Sequence, residues 1–215
     1  MKTHVLFDLD GVLLDTEGLY TQATQAVVGR YGKTYDWALK VQTMGREARA
    51  SARLIVERLD VPLTADELLA ERNPILEALI ASSPAMAGAE EFVHRLAAKG
   101  VPMAVATSSD RRLYDIKVRP HAWFARFAAV VCGDDPRVLA KKPAPDIFLV
   151  AARDLGADPA QCLVFEDSPA GVEAALAAGM RVVALPAPQA GREHYADAHQ
   201  VFSGWADVSP AVLDH

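Results

Sequence analysis

Val5-Leu6-Phe7-Asp8-Leu9-Asp10-Gly11-Val12-Leu13-Leu14-Asp15-Thr16 decides how this chain folds. An apolar run leads into two aspartates spaced two apart, then a glycine. Side chains at i and i+2 share a face of a β-strand, so Asp8 and Asp10 point the same way if the strand persists to them. The apolar run suits a buried strand of a parallel sheet. Paired carboxylates at the end of such a strand are costly to dehydrate unless something compensates them. A divalent cation is the obvious compensating charge.

Outward from that strand the pattern changes twice. Apolar residues at three-four spacing predict helices over 17–30, 46–59 and 63–80, with no strand signal before about 82. Pro84 and Gly88 then punctuate the chain. Beyond them, helices over 89–99, 109–118, 146–155 and 170–178 alternate with strands over 102–106, 128–132, 162–165 and 181–185. A short strand near 199–202 closes the series, and 186–191 reads as a loop or lid edge. Strands separated by helices imply βαβ units and a parallel sheet. The expected fold is therefore α/β, a Rossmann-like parallel-sheet core made of residues 1–16 and 84–215. An all-α cap domain, residues 17–83, is inserted after the first strand.

A chain of 215 residues can bury one sizeable core or a core plus a small satellite. With 51% hydrophobic and 23% charged residues it reads as globular, and its net charge of −6 disfavours nucleic acid as a partner. A small anionic substrate stays compatible with that charge, because a metal and a few cations can reverse the local field. No apolar run approaches the ~20 residues of a membrane span, and the N-terminus lacks a signal-peptide pattern. The expectation is a cytoplasmic protein, monomeric by default, without a membrane partner. Cys132 and Cys162 sit in or beside strand-like runs and read as buried free thiols.

Ligands of an open parallel sheet bind outside the carboxyl ends of its strands. Four such ends carry capable groups. They offer Asp8 and Asp10, then Thr107 and Ser108, then Lys142 in the loop after the third strand, then Glu166 and Asp167. Carboxylates suit a hard cation, hydroxyl and N–H donors suit an oxyanion, and a lysine is a compact charge for phosphate. An aspartate can also attack phosphorus, and a second one nearby can move the proton. Each piece alone is commonplace; Thr107-Ser108-Ser109 alone would read as a helix N-cap. Their combination at four strand ends points to phosphoryl chemistry.

Asp8-Leu9-Asp10-Gly11-Val12, the Thr107 strand end, Lys142-Pro143-Ala144-Pro145-Asp146-Ile147-Phe148 and Glu166-Asp167-Ser168 resemble, in order, the four motifs of the haloacid dehalogenase superfamily. Within it the chain looks like the branch of pseudouridine-5′-phosphatase and the β-phosphoglucomutase-like phosphatases. Gly133-Asp134-Asp135-Pro136 and Met44-Gly45-Arg46 share in that resemblance, which runs to about residue 186. It implies a Mg2+-dependent phosphatase that hydrolyses a small phosphorylated metabolite through an aspartyl phosphate. Asp8 would be nucleophile and Mg2+ ligand, and Asp10 the general acid/base with its backbone carbonyl on the metal. Thr107 and Ser108 would hold the phosphoryl oxygens and Lys142 would steady nucleophile and phosphate. Asp167 would ligate Mg2+, with Glu166 a ligand or an adjacent carboxylate. In the cap, Gly45 would allow a close loop and Arg46 would meet the distal part of the substrate. Arg49 and Arg53 would share its helix face. The alternative is a sugar phosphomutase. Mutase-like sequences tend to carry a histidine soon after the Asp-Thr pair, whereas this chain reads Glu17-Gly18-Leu19-Tyr20. A non-catalytic phosphate sensor fits less well, because every motif position is occupied.

Overall fold

The computed structural model describes residues 3–44 and 46–214. Strand β1 (His4–Phe7) lies at the centre of a six-stranded, wholly parallel sheet. Its partners are β2 (Met103–Ala106), β3 (Ala129–Val131), β4 (Cys162–Glu166), β5 (Arg181–Ala184) and β6 (Gln200–Val201). The order is β3-β2-β1-β4-β5-β6, so β1 pairs with β2 on one side and β4 on the other. Helices α1 (Glu17–Val28), α2 (Trp37–Thr43), α3 (Ala48–Leu59) and α4 (Ala65–Ile80) all intervene between β1 and β2. Helices α5 (Ala89–Ala98), α6 (Arg111–Val118), α7 (Asp146–Asp154) and α8 (Pro169–Ala177) complete the layers around the sheet. The expected α/β architecture with a run of helices after the first strand is what forms.

The period of two in β1 sorts its side chains. Val5 and Phe7 enter the apolar cluster on one face with Phe92, Phe165 and Trp205. Leu6 enters the opposite cluster with Phe148, Val164, Val182 and Tyr195. Phe7 is in register with Phe165 and their rings stack at 5.3 Å. The run of helices has its own cluster, including Val27, Leu39, Ile55 and Leu68. Cys132 and Cys162 are buried and, among the described residues, joined in no disulfide. Among the described residues, no helix is long and apolar enough to cross a membrane.

Three local differences from the sequence reading matter for the site. The first strand stops at Phe7, short of both aspartates. Gly11 then takes φ +77, and the Leu13 and Leu14 N–H groups both turn back to the Leu9 carbonyl. A separate helix, α2, forms where none was resolved in the pattern; Asp36 caps it by accepting the Leu39 N–H. Helix α3 starts at Ala48 rather than 46, because the Glu47 carboxylate caps it by accepting the Arg49 and Ala50 N–H groups.

The C-terminal segment, silent in the sequence, ties the first motif down. Trp205 packs within 5 Å of the Phe92 and Phe165 rings, and its indole N–H donates to the Val12 carbonyl at 2.8 Å. We expect Trp205→Ala to cost about 3–5 kcal/mol in denaturant unfolding, the usual range for emptying a core tryptophan site. Trp205→Phe should cost about 1–2 kcal/mol, chiefly the unmet carbonyl. Equal, small losses for both would show that this ring does not hold the motif.

Candidate active site

The carboxyl edge of the sheet opens on a cavity of about 430 Å³. Asp8, Asp10, Asp167 and Ser108 line it from the sheet side; Tyr20, Lys40, Arg46 and Arg72 line it from the helices. Asp8 follows β1 directly, and its N–H still donates to the Phe165 carbonyl, extending the ladder one residue. Asp10 reaches the same cavity through the turn at Gly11 rather than along a strand face. A Cβ at Gly11 would run into Asp167 Oδ2, so only glycine lets these two motifs meet.

Lys142 Nζ, fully buried, donates to Asp8 Oδ1 at 2.6 Å, to Glu166 Oε1 at 2.7 Å and to the Ala106 carbonyl at 3.2 Å. Glu166 has no outward-facing oxygen left. Its Oε2 accepts from the Asp167 N–H, the Ser168 N–H and the Ser168 hydroxyl, each at 2.9 Å. Glu166 thereby anchors Lys142 and the turn, and it is not among the residues that line the cavity. Gly171 lies against it so closely that a Cβ there would overlap the carboxylate.

Asp10 has a different set of partners. Lys117 Nζ donates to its two oxygens at 2.6 and 2.7 Å, the Ser109 hydroxyl donates at 3.0 Å, and the Thr16 hydroxyl makes a further, short bond. The two carboxyls are pushed apart in consequence. Burial lifts Asp8 to about 7; Lys142 opposes this, but Lys142 is shared with Glu166, and Glu166 and Asp10 add repulsion. Burial lifts Asp10 as well, yet the Lys117 ammonium and the hydroxyl donors outweigh it and hold the carboxyl below its ordinary value. Asp167 is raised well above the usual range by burial and by the charges of Glu17, Glu166 and Asp8.

Of the residues expected to hold phosphate, Ser108 faces the cavity and Lys142 stands behind Asp8. Thr107 is buried, with its hydroxyl accepting the Ser109 N–H at 3.1 Å. The helix that follows is capped by Asp110 instead, whose carboxylate accepts the Leu113 N–H. On the helical side, Arg46 lines the cavity while its Nε donates to the Gln42 carbonyl. Gly45 lies outside the described residues. Arg49 corrects the sequence reading: it points to the surface, paired with Asp66 at 2.8 Å, and does not line the cavity. Since α3 begins only at Ala48, Arg46 shares no helix face with Arg49 or Arg53.

Several residues that were not singled out prove central. Lys40, buried, is paired with Glu17 at 3.1 Å and lies 4.9 Å from the Trp37 ring centroid. Arg72 is buried, stands 5.8 Å from the Tyr20 ring centroid, and has no acidic partner among the described residues. Tyr195 donates its hydroxyl to the Asp167 carbonyl at 2.6 Å. Lys117 carried one legible signal: it falls three residues after Tyr114 on the buried stripe of α6.

The donor set fits a hard divalent cation of the Mg2+ type. Asp8 and Asp167 are buried carboxylates facing one cavity, raised by burial and by neighbouring negative charge, which a cation would relieve. No group of three His, Cys, Asp or Glu side chains with metal-holding geometry occurs among the described residues. Mg2+ needs no such cage; it takes one or two carboxylates and keeps waters and substrate oxygens.

The family model of haloacid dehalogenase-like hydrolases matches residues 2–179. The chain belongs to that family. This hydrolase is 44% identical, over 97% of its length and 92% of the relative's, to a probable pseudouridine-5′-phosphatase of Drosophila melanogaster. It is 42% identical, over 97% of its length and 72% of the relative's, to the mitochondrial (DL)-glycerol-3-phosphatase 1 of Arabidopsis thaliana. Its fold matches CbbY of Rhodobacter sphaeroides, solved in complex with phosphate, at a TM-score of 0.84, 25% identity and full coverage of both chains. A β-phosphoglucomutase of Clostridium difficile shares the fold at a TM-score of 0.84 and 21% identity, over 100% of this chain and 96% of that one. The protein is a phosphoric monoester hydrolase.

The raised Asp8 carboxyl would give cation binding at this site a pH dependence. Its folded value of about 7 lies above the ordinary carboxylate range, so the folded, cation-free site holds a proton more tightly than the unfolded chain does. The cost of burying the ionised carboxylate is fully present above pH 7 and fades as pH falls towards 4. Proton and cation compete for the same oxygens. Added Mg2+ should therefore raise the melting temperature most at pH 7 to 8, and progressively less down to pH 5. A shift that grows on acidification would contradict this placement of the cation.

Proposed function

We propose that the protein is a Mg2+-dependent phosphatase of small phosphomonoesters that works through an aspartyl phosphate on Asp8. The observation that carries the reading is the pair Asp8 and Asp10 on one cavity floor, each held by its own buried lysine.

The ester's phosphoryl group enters between Asp8 and Ser108. A carboxylate oxygen of Asp8 attacks phosphorus as the P–O ester bond breaks, and the leaving oxygen takes a proton from Asp10. Water then attacks the phosphoryl group, Asp10 accepts its proton, and the electron pair of the Asp8–phosphorus bond returns to the carboxylate. Alcohol and inorganic phosphate are released. Asp10 is ionised in the resting site; an incoming phosphate raises its proton affinity by adding negative charge beside it, and Asp10 takes up from solvent the proton that it then donates. Lys142 keeps Asp8 aimed and offsets charge as it builds up on the phosphoryl oxygens. Asp8, Asp167 and the Asp10 carbonyl would hold Mg2+, whose charge would offset the repulsion between the attacking carboxylate and the phosphoryl anion.

We further infer that residues 17–83 act as a cap that selects substrate. The cavity of about 430 Å³ suits a polyol, sugar or nucleoside monophosphate, and Arg46 and Arg72 on the helical side favour oxygen-rich groups there. The relatives' names make glycerol 3-phosphate and pseudouridine 5′-phosphate the first compounds to try. A phosphomutase would instead return the phosphoryl group to a second hydroxyl; the lack of a histidine in Glu17-Gly18-Leu19-Tyr20, after Asp15-Thr16, disfavours it.

Phosphate release across a phosphomonoester panel with and without Mg2+ tests the reading. Mg2+-dependent release is expected, and Asp8→Asn should lower it by about 10⁴-fold or more, as loss of an attacking group does. Glucose 6-phosphate formed from β-glucose 1-phosphate and glucose 1,6-bisphosphate, with no free phosphate, would establish the mutase instead.

A further inference from the structure

We propose that Lys117 is a positioning residue for Asp10, fixing both carboxylate oxygens and joining them to the helical insert through the Tyr20 hydroxyl. The inference rests on Asp10 being the proton carrier.

Lys117 sits on α6, in the sheet-bearing part of the chain, and its side chain is fully buried. Its ammonium meets four oxygens: both of Asp10, Ser109 Oγ at 2.7 Å and Tyr20 Oη at 2.9 Å. Tyr20 lies on α1, in the insert, and its ring centroid is 5.0 Å from the ammonium. Asp10 and Ser109 lie in the loops after β1 and β2. One nitrogen thus collects groups from the first motif, the second motif and the insert. Stability is a poor explanation for such an arrangement. Dehydrating a lysine and a carboxylate offsets most of what their attraction returns, and an apolar pair of similar volume would serve packing as well.

Geometry gives the arrangement a use. An ammonium contacting both oxygens removes the freedom of the Asp10 side chain to rotate away from the leaving oxygen, and proton transfer depends on that placement. The Tyr20 contact exists only with α1 seated on the site, so the seated insert completes the set of oxygens around Lys117. The functional consequence is selective. A substrate whose leaving oxygen needs a proton depends on Asp10, and hence on Lys117. A substrate whose leaving group departs as a stable anion depends on neither in that first step, the step that kcat/KM reports, although Asp10 still takes the proton of water when the aspartyl phosphate is hydrolysed.

The test compares kcat/KM on glycerol 3-phosphate, which releases an alkoxide unless protonated, and on p-nitrophenyl phosphate, which needs no proton. Asp10→Asn is the control for the reading of Asp10; it should lower the first about 10²–10⁴-fold, the usual weight of a general acid, and the second far less. Lys117→Met should show the same skew, losing about 30-fold or more on the alkyl ester and under about threefold on the aryl ester, with KM little changed. Lys117→Arg, which keeps a charged donor, should recover part of the alkyl-ester rate. Tyr20→Phe uncovers no charge and keeps the fold; it should skew the two rates in the same direction by about three- to tenfold. If Asp10→Asn skews the rates and neither Lys117→Met nor Tyr20→Phe does, the positioning role is wrong while the Asp10 reading stands. If Asp10→Asn itself shows no skew, the Asp10 reading has failed. Should Lys117→Met melt below the assay temperature, Tyr20→Phe decides alone.

Discussion

Lys142 is the constraint on which the rest of the site depends. Asp8 and Glu166 end neighbouring strands of a sheet whose interior excludes water, and two buried carboxylates so close repel one another. The ammonium at 2.6 and 2.7 Å from them makes the pairing tolerable. Removing one member of such a buried set typically costs about 3–5 kcal/mol, because a charge is left without compensation. That requirement fixes the loop after β3, which must deliver Lys142 to the centre of the sheet edge. It also fixes Glu166, whose second oxygen closes the turn before α8 through three hydrogen bonds.

The two lysines divide the work of the two aspartates. Lys142 is shared between two carboxylates, so it compensates Asp8 only in part, and Asp8 is pushed up to about 7. Lys117 has Asp10 as its single carboxylate contact, and with two hydroxyl donors alongside it holds Asp10 low. The chemistry asks for the reverse during turnover, an ionised nucleophile and an acid that carries a proton. A cation on Asp8 and a phosphate dianion beside Asp10 would move each value in the required direction. The resting site is thus poised so that binding itself sets the protonation states.

What the sequence made legible follows from period and punctuation. Four of the six strands of the α/β core are apolar runs leading into polar residues, and those ends lie at the sheet's carboxyl edge. Asp8, Asp10, Ser108, Lys142 and Asp167 could therefore be placed near one another before any coordinates. The misses share a cause as well. Lys117, Lys40 and Arg72 are buried cations on helices; beyond the place of Lys117 on the buried stripe of α6, the local pattern does not separate them from solvated residues. Arg49 erred the other way. Its spacing from Arg46 suggested one helix face, but the Glu47 cap places the helix start between them and leaves Arg49 to Asp66 on the surface. Tyr195 and Trp205 act through single hydrogen bonds across 28 and 193 residues, and no local signal announces such contacts.

Charge distribution explains why the helical insert and the cation belong to one mechanism. Asp8, Asp10, Glu166 and Asp167 gather on the sheet side, with Lys142 and Lys117 paired against them. With Asp8 and Asp167 ionised, that floor carries an excess of negative charge and repels a phosphate dianion. Opposite it, Lys40 is neutralised by Glu17, while Arg72 has no acidic partner among the described residues. A phosphomonoester therefore meets a roof that attracts its oxygens and a floor that repels them. A divalent cation held by Asp8 and Asp167, as proposed, would reverse the second term without touching the first. The phosphoryl group can then settle on the floor while the remainder of the molecule faces the roof. The orientation required for attack by Asp8 follows from the sign of the field, before any specific contact to the organic part is made.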